Sequence, residues 1–109
     1  MASAPFFLCL NPWIYDFAAH DYFARPLGLY YLAGWLRALG AEVKVVDCLG
    51  PASQGRGVTG RWPKTILPKP EVFPEVPRRW GRYGRSPEAV AADLARFPRE
   101  PEAVLVTSL

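Results

Sequence analysis

Two apolar segments with one amphipathic segment between them make up residues 6–47, and this order is the strongest constraint on the fold. Residues 6–10 are apolar without interruption, which is typical of a strand that is buried on both faces in a parallel sheet. Residues 42–47 place valines around Lys44 and end in an acid, which predicts a second, β-branched strand. With a helix between them, these strands predict a right-handed crossover unit in which both strands run parallel.

The segment between the two strands predicts a helix over residues 26–39. Its apolar residues recur at spacings of three and four. Pro26 suits the first turn, and Gly40 suits the left-handed conformation that ends a helix. The residues that we assign to the apolar face are Leu29, Leu32, Ala33, Leu36 and Leu39.

A second helix and a third strand are predicted near the end of the chain. Ser86 is a good N-cap, Pro87 suits the first turn and Pro98 ends the helix. Its apolar face consists of Val90, Ala91, Leu94 and Phe97. Residues 103–106 predict the third strand. Because the first strand is the most apolar of the three, we expect it at the centre of the sheet, with the helices covering it.

The stretch 48–86 joins the second strand to the second helix and is strongly basic. It carries eight basic and two acidic side chains, a net charge of +6, together with six prolines. Proline interrupts both helices and sheet ladders, so we predict a long basic loop without regular helix or strand. Its regularly placed apolar residues indicate an ordered loop that packs on something.

Length and composition favour one small domain over residues 1–109, since half of the residues are apolar. No apolar run approaches the roughly 20 residues that cross a bilayer, so we predict no membrane partner. The first four residues carry no positive side chain before the apolar stretch, unlike a secretory signal, and the predicted location is cytoplasmic. Cys9 and Cys48 are interpreted as small core residues without a disulfide.

Common cofactor motifs are absent from the sequence. The first strand is followed by Asn-Pro-Trp where a dinucleotide-binding turn needs Gly-x-Gly-x-x-Gly. The sequence also lacks a phosphate-binding Gly-x4-Gly-Lys-Ser/Thr loop and the Cys-x2-Cys and His-Glu-x2-His metal motifs. These results exclude the usual nucleotide and zinc sites from this segment.

Three groups of side chains have open alternatives. His20, the only histidine, lies beside Asp21 and is either a ligand or base or a solvated loop residue. The aromatic cluster after the first strand either lines a pocket or packs the loop; it comprises Trp13, Tyr15, Phe17, Tyr22 and Phe23.

The basic stretch 78–85 contains interleaved aromatic residues. It either binds RNA, or it packs its aromatic rings inward and leaves its arginines in solvent. The second reading is favoured, so a nucleic-acid partner is not expected.

The carboxyl ends of the strands predict where a ligand would bind. In open parallel sheets, ligands lie beyond these ends, where the strand order reverses. The residues that follow the three strands are Asn11-Pro12-Trp13, Asp47-Cys48 and Thr107-Ser108. The sequence stops three residues after the third strand, which would leave an outer sheet edge bare, so we interpret it as the front half of a longer protein.

Several short motifs together resemble the amino-terminal part of cobalamin-binding-domain radical S-adenosylmethionine proteins. The combination of an Asn-Pro strand end with a Pro-Leu-Gly helix start is the most specific part, and the resemblance covers nearly the whole chain. The matching segments are Leu10-Asn11-Pro12, residues 14–19, residues 25–33, residues 46–49, residues 77–79, residues 82–84 and residues 104–108.

The resemblance implies a Rossmann-like or flavodoxin-like α/β sheet that is incomplete, with three strands and two helices, and that binds a corrinoid. Asn11, Pro12, Thr107 and Ser108 are then expected to face the cobalamin or its nucleotide tail. A four-iron four-sulfur cluster and S-adenosylmethionine would bind only in carboxy-terminal domains that this sequence lacks, because the cluster motif Cys-x3-Cys-x2-Cys is absent. The chain itself would not be catalytic.

One cobalamin motif is also missing. The signature Asp-x-His-x-x-Gly is not met around His20, where Ala18 and Phe23 stand at the Asp and Gly positions. His20 is therefore not expected to bind cobalt. Two alternatives to the corrinoid platform remain: a stand-alone interaction or regulatory module on the same half-fold, and an RNA-associated protein that uses the basic loop. The substrate of the parent enzyme is not encoded in these residues.

Overall fold

The computed structural model describes residues 4–19, 25–50 and 62–107. These residues form two helices and two three-stranded sheets. The elements in chain order are β1 (Phe6–Asn11), β2 (Ile14–Asp16), α1 (Leu27–Ala38), β3 (Glu42–Asp47), β4 (Lys64–Ile66), β5 (Gly81–Tyr83), α2 (Pro87–Ala95) and β6 (Ala103–Val106).

The main sheet is parallel, with the strand order β3-β1-β6. Phe6 pairs with Glu42 and Asn11 with Asp47, so β1 and β3 are in register over their whole length. The predicted central position of the first strand and the parallel direction of all three strands are confirmed. A mixed α/β fold with this sheet and two helices is therefore established for the described residues.

The two helices cover opposite faces of the main sheet. Cys9 and Val43 pack with Leu29 and Ala33 of α1. Leu8, the neighbour of Cys9 on β1, faces the other way and packs with Val90 of α2. Successive side chains of a strand point to opposite faces, so the alternation along β1 places a helix on each side. Cys9 and Cys48 are both buried and free, as predicted.

The predicted first helix is correct in position but not in its full apolar face. Pro26 occupies the N-cap, just before the first turn, and Gly40 has the expected left-handed conformation with φ = 100°. Leu29, Ala33 and Leu36 face the sheet, but Leu32 and Leu39 are exposed. The helix packs on β3 and β1, and Leu105 of β6 joins the same cluster.

The second helix begins as predicted and ends slightly earlier. The Ser86 hydroxyl oxygen accepts a hydrogen bond from the Ala89 backbone N–H at 3.1 Å, which confirms the N-cap. Val90 is buried and Phe97 packs on its cluster, whereas Ala91 and Leu94 are exposed, contrary to the prediction. The helix ends at Ala95, ahead of Pro98.

A second sheet contradicts the prediction that residues 48–86 contain no strand. β4 and β5 lie inside this stretch, and β5 pairs with both β2 and β4 in an antiparallel sheet of order β2-β5-β4. Each of these strands has three residues, too few to produce a recognisable alternation in the sequence. The prolines of the described part of the stretch lie between the strands, so they do not interrupt the ladder.

Neither helix of the described ranges has the length and hydropathy needed to cross a membrane.

Candidate site at the carboxyl ends of the parallel strands

Asn11, the last residue of β1, is held by the neighbouring strand. Its side chain is only 2% exposed, and its Nδ2 donates a hydrogen bond to Asp47 Oδ1 at 2.8 Å. The same carboxylate oxygen accepts from the Leu49 backbone N–H at 2.9 Å. Asp47 therefore shapes the turn after β3 and fixes the Asn11 amide at the same time.

The carbonyl oxygen of the Asn11 side chain is buried and has no hydrogen-bond partner among the described residues. Leaving a buried acceptor unpaired costs about 1–3 kcal/mol. Such an atom needs a donor from elsewhere, and it is the clearest chemical feature at this edge of the sheet. The other buried side-chain atom without a partner in the same ranges, Arg82 Nε, belongs to the second sheet.

Thr107 follows β6 at the same edge. Its backbone N–H donates to Leu10 O at 3.1 Å, which continues the parallel pairing of Leu10 with Val106. Thr107 and Pro12 are both half-buried. The structure thus brings together Asn11, Pro12 and Thr107 at the ends of two adjacent strands, as the sequence predicted. Ser108, the fourth predicted residue, lies outside the described residues.

The β3 half of this edge is covered by the segment after β5. The Cys48 backbone N–H donates to Asn11 O at 2.8 Å, and Cys48 O accepts from the Arg85 N–H at 2.7 Å. The Trp13 indole N–H donates to Arg85 O at 2.7 Å. These bonds tie the two sheets together at the carboxyl ends of β1 and β3.

Gly84 permits this close cover. It has φ = 123°, and a Cβ atom at this position would lie 2.3 Å from Cys48 O. Only glycine combines the left-handed conformation with so close an approach. Trp13 was expected at this edge from its place after β1, but Gly84 and Arg85 were not, because their contacts join parts of the chain that are distant in sequence.

An ion pair connects the cover to α2. Arg85 Nη2 lies 2.6 Å from Asp93 Oδ2, with both side chains about one-third exposed or less. One arginine of the predicted basic loop therefore has a structural role. The backbone of Arg85 donates a hydrogen bond to Cys48, and its side chain forms an ion pair with α2.

Cys48 lies in this covered half, and its thiol is buried. Burial, with a further contribution from the Asp47 carboxylate, raises the pKa of the Cys48 thiol to about 11, and the Arg85 guanidinium opposes this shift only in part. Burial also raises the pKa of the Cys9 thiol. Nucleophilic attack needs the thiolate, so burial makes both thiols weak nucleophiles at neutral pH.

The aromatic residues pack against one another rather than line a pocket where the structure describes them. The Phe17 ring contacts Trp80 and Phe73 edge-on, at centroid distances of 5.0 and 5.9 Å. Trp13 packs on the core cluster of Leu8, and Tyr15 is exposed. His20, Tyr22 and Phe23 lie outside the described residues.

The basic stretch 78–85 packs its rings and exposes part of its charge. Tyr83 is buried, Trp80 is half-buried, and Arg78 and Arg79 are exposed. The rings therefore pack and the arginines are partly solvated, as the favoured reading expected, although residues 81–83 form β5 and not a loop.

Metal-ligating side chains do not gather in the described part of the chain: no three His, Cys, Asp or Glu residues of those ranges come together as possible ligands. Comparisons with protein-family models, with curated proteins and with solved structures found no match to this chain.

Proposed function

We propose that this chain is the amino-terminal part of a cobalamin-binding domain of a radical S-adenosylmethionine enzyme, and that its β1 and β6 strand ends contact the corrinoid. The observation that carries the proposal is the buried, unpaired Asn11 Oδ1 at the end of the central parallel strand. An unpaired acceptor at this place calls for a donor, and the carboxyl edge of a parallel sheet is where ligands bind.

The strand order supports the same location. Counted along the chain, β1, β3 and β6 are the first, second and third strands of the main sheet. Their order across the sheet is therefore second, first, third, and one helix covers each face. Flavodoxin-like sheets begin with this order and bind their ligand where the order reverses, between the first and third strands. In this chain that point lies between Asn11 and Thr107, next to the β3 end on which Gly84 and Arg85 pack.

The residues fit the polar periphery of a corrinoid. A corrin ring carries amide side chains whose N–H groups suit the Asn11 carbonyl oxygen, and the Thr107 hydroxyl can donate or accept a hydrogen bond. Asn11 is almost fully buried, so its carbonyl oxygen is better placed to bind a narrow amide side chain of the corrin than the flat face of the ring. A bound corrinoid would supply methyl-carrier chemistry, while the residues of this chain would hold and orient it.

The proposal assigns no cobalt ligand and no catalytic residue to this chain. The cluster and S-adenosylmethionine would bind in the carboxy-terminal domains of the parent protein, and the whole would work in the cytoplasm.

The test is a titration of hydroxocobalamin, followed by corrin absorbance, into the full-length protein that contains this segment. We expect binding by that protein and weak or no binding by residues 1–109 alone, since part of the platform is missing. Asn11→Ala and Thr107→Val should each lower the affinity about tenfold, equivalent to 1.4 kcal/mol. Thr65→Val, on exposed β4, is the matched control and should bind normally.

Two results would count against the proposal. Unchanged affinity in both Asn11→Ala and Thr107→Val would remove these residues from the site. Failure of the full-length protein to bind would remove the cobalamin assignment and favour the interaction module.

A further inference from the structure

The outward side of α1 carries a row of large apolar side chains, which we call the α1 ridge. It consists of Leu27, Tyr31, Trp35 and Leu39, and each of these residues is between 62% and 72% exposed. Residues four apart lie next to each other on a helix, so the four side chains form one continuous ridge along its length. The opposite side of α1 already contains the residues that pack on the sheet.

A shallow groove runs beside the ridge. Gly34 and Ala38 are exposed and belong to the same outward side, next to Tyr31 and Trp35. A Cβ atom at Gly34 would meet nothing within 4 Å. The surface therefore combines a row of large side chains with a row of small ones, and a copy of the same surface turned around would place each ridge in the other groove.

Charge does not oppose the approach of a second copy. Arg37 is the only charged residue of α1, and its Nη2 donates to Val43 O at 2.8 Å, which draws the guanidinium toward β3. Although the whole chain has a net charge of +3, the ridge itself carries none. The ridge therefore offers no charged group to a partner that binds through ion pairs, whereas the same apolar surface of a second copy can pack against it.

The area is also sufficient. The ridge exposes on the order of 600 Å² of side-chain surface, given the 150–250 Å² that a large aromatic residue can bury. Apolar patches of this size on soluble proteins commonly mark interaction sites. A standard interface buries about 800 Å² on each partner, so the ridge would supply most of one such surface.

We propose that the α1 ridge is the interface of a homodimer, in which the α1 helices of two copies pack antiparallel across a twofold axis. Such an interface uses the same patch on both chains, as twofold symmetry requires. The proposal is independent of corrinoid binding, because the ridge lies on the outward side of α1 and contains none of the strand-end residues.

The first test is sedimentation velocity over a range of concentrations. We expect a dimer for the unmodified chain and a monomer for the double variant Tyr31→Glu, Trp35→Glu, which places charges in the middle of the ridge. Val72→Glu is the matched control, because Val72 is 76% exposed but lies far from α1 in sequence. It should dimerise like the unmodified chain. Circular dichroism checks that each variant is folded.

A second test does not depend on a disruptive substitution. Gly34→Cys adds a thiol near the proposed twofold axis, where there is open space, and should give a disulfide-linked dimer under mild oxidation. Ala91→Cys, exposed on α2, should remain uncrosslinked, and the native cysteines are buried. A monomeric unmodified chain, a dimer that survives the double variant, or no crosslink through position 34 would overturn the proposal. If two copies paired through the outer edge of β6 instead, the double variant would still dimerise, or Gly34→Cys would not form a crosslink.

Discussion

The guanidinium of Arg99 lies over the ring of Phe6, with its carbon 5.3 Å from the ring centroid. The same group donates to Ala4 O and lies 3.3 Å from the Glu42 carboxylate. Arg99 thereby joins the amino ends of β1 and β3 from the segment that precedes β6. At the opposite end of these strands the Asn11 and Asp47 pair makes the corresponding connection.

We predict that Arg99→Ala lowers the free energy of unfolding by about 1–3 kcal/mol, because it removes a charge-assisted hydrogen bond and a cation–π contact. Arg96→Ala is the matched control, since Arg96 is 80% exposed and lies 3.8 Å from Asp93. An exposed ion pair of this kind contributes about 0–1 kcal/mol. Urea unfolding of both variants measures the difference, and equal losses would contradict the role assigned to Arg99.

Asp47 provides a second prediction, at the candidate site. Asp47→Ala removes the acceptor for both Asn11 Nδ2 and the Leu49 N–H, so we expect a loss of about 3 kcal/mol. Asp47→Asn keeps one oxygen and should lose less. Asp16→Ala is the control, because the Asp16 carboxylate accepts only a local, exposed hydrogen bond from the Phe17 N–H among those described. If Asp47→Ala and Asp16→Ala unfold at the same urea concentration, Asp47 does not organise this edge.

Glycine substitutions should have opposite signs at two positions. Gly84→Ala is expected to destabilise the protein by about 2–4 kcal/mol, because it combines a left-handed backbone with a clash against Cys48 O. Gly28→Ala, within α1, meets nothing within 4 Å and should stabilise the helix by about 0.5–1 kcal/mol. Thermal unfolding followed by circular dichroism measures both. A neutral Gly84→Ala would show that the two sheets need not approach so closely.

The parallel sheet could be predicted because its signals are local. The uninterrupted apolar run of β1 and the spacing of Leu29 and Ala33 in α1 can be recognised within a few residues, and the crossover rule then fixes the direction of the strands. The ends of the strands follow from their direction, so the sequence alone predicts that Asn11 and Thr107 lie at one edge of the sheet. The exposure of Leu32 and Leu39 was not predictable, because it depends on which side of the helix the sheet contacts in the folded chain.

The second sheet was missed because its information is not local. Arg82 becomes a strand residue only by pairing with Tyr15 and Thr65, which lie in other parts of the chain. The packing of Gly84 on the Cys48 carbonyl is also non-local. A glycine between Tyr83 and Arg85 in the sequence does not indicate which carbonyl oxygen it will approach. Close approaches of this kind depend on tertiary packing, which periodicity does not encode.

The last prediction concerns the dependence of stability on pH. The pKa of Cys48 is raised from 9.0 to about 11 in the folded protein, so folding favours the protonated thiol. The contribution of this thiol to the free energy of unfolding is fully present below the pKa of the unfolded state. It is lost as the pH rises from about 9 through 11. The limiting loss is about 3 kcal/mol, since each pKa unit corresponds to 1.36 kcal/mol. We therefore expect the urea midpoint to fall between pH 8 and pH 11 by more in the unmodified protein than in Cys48→Ala, whose other titrating groups are the same. Parallel curves for the two proteins would show that the Cys48 thiol is not desolvated in the folded state.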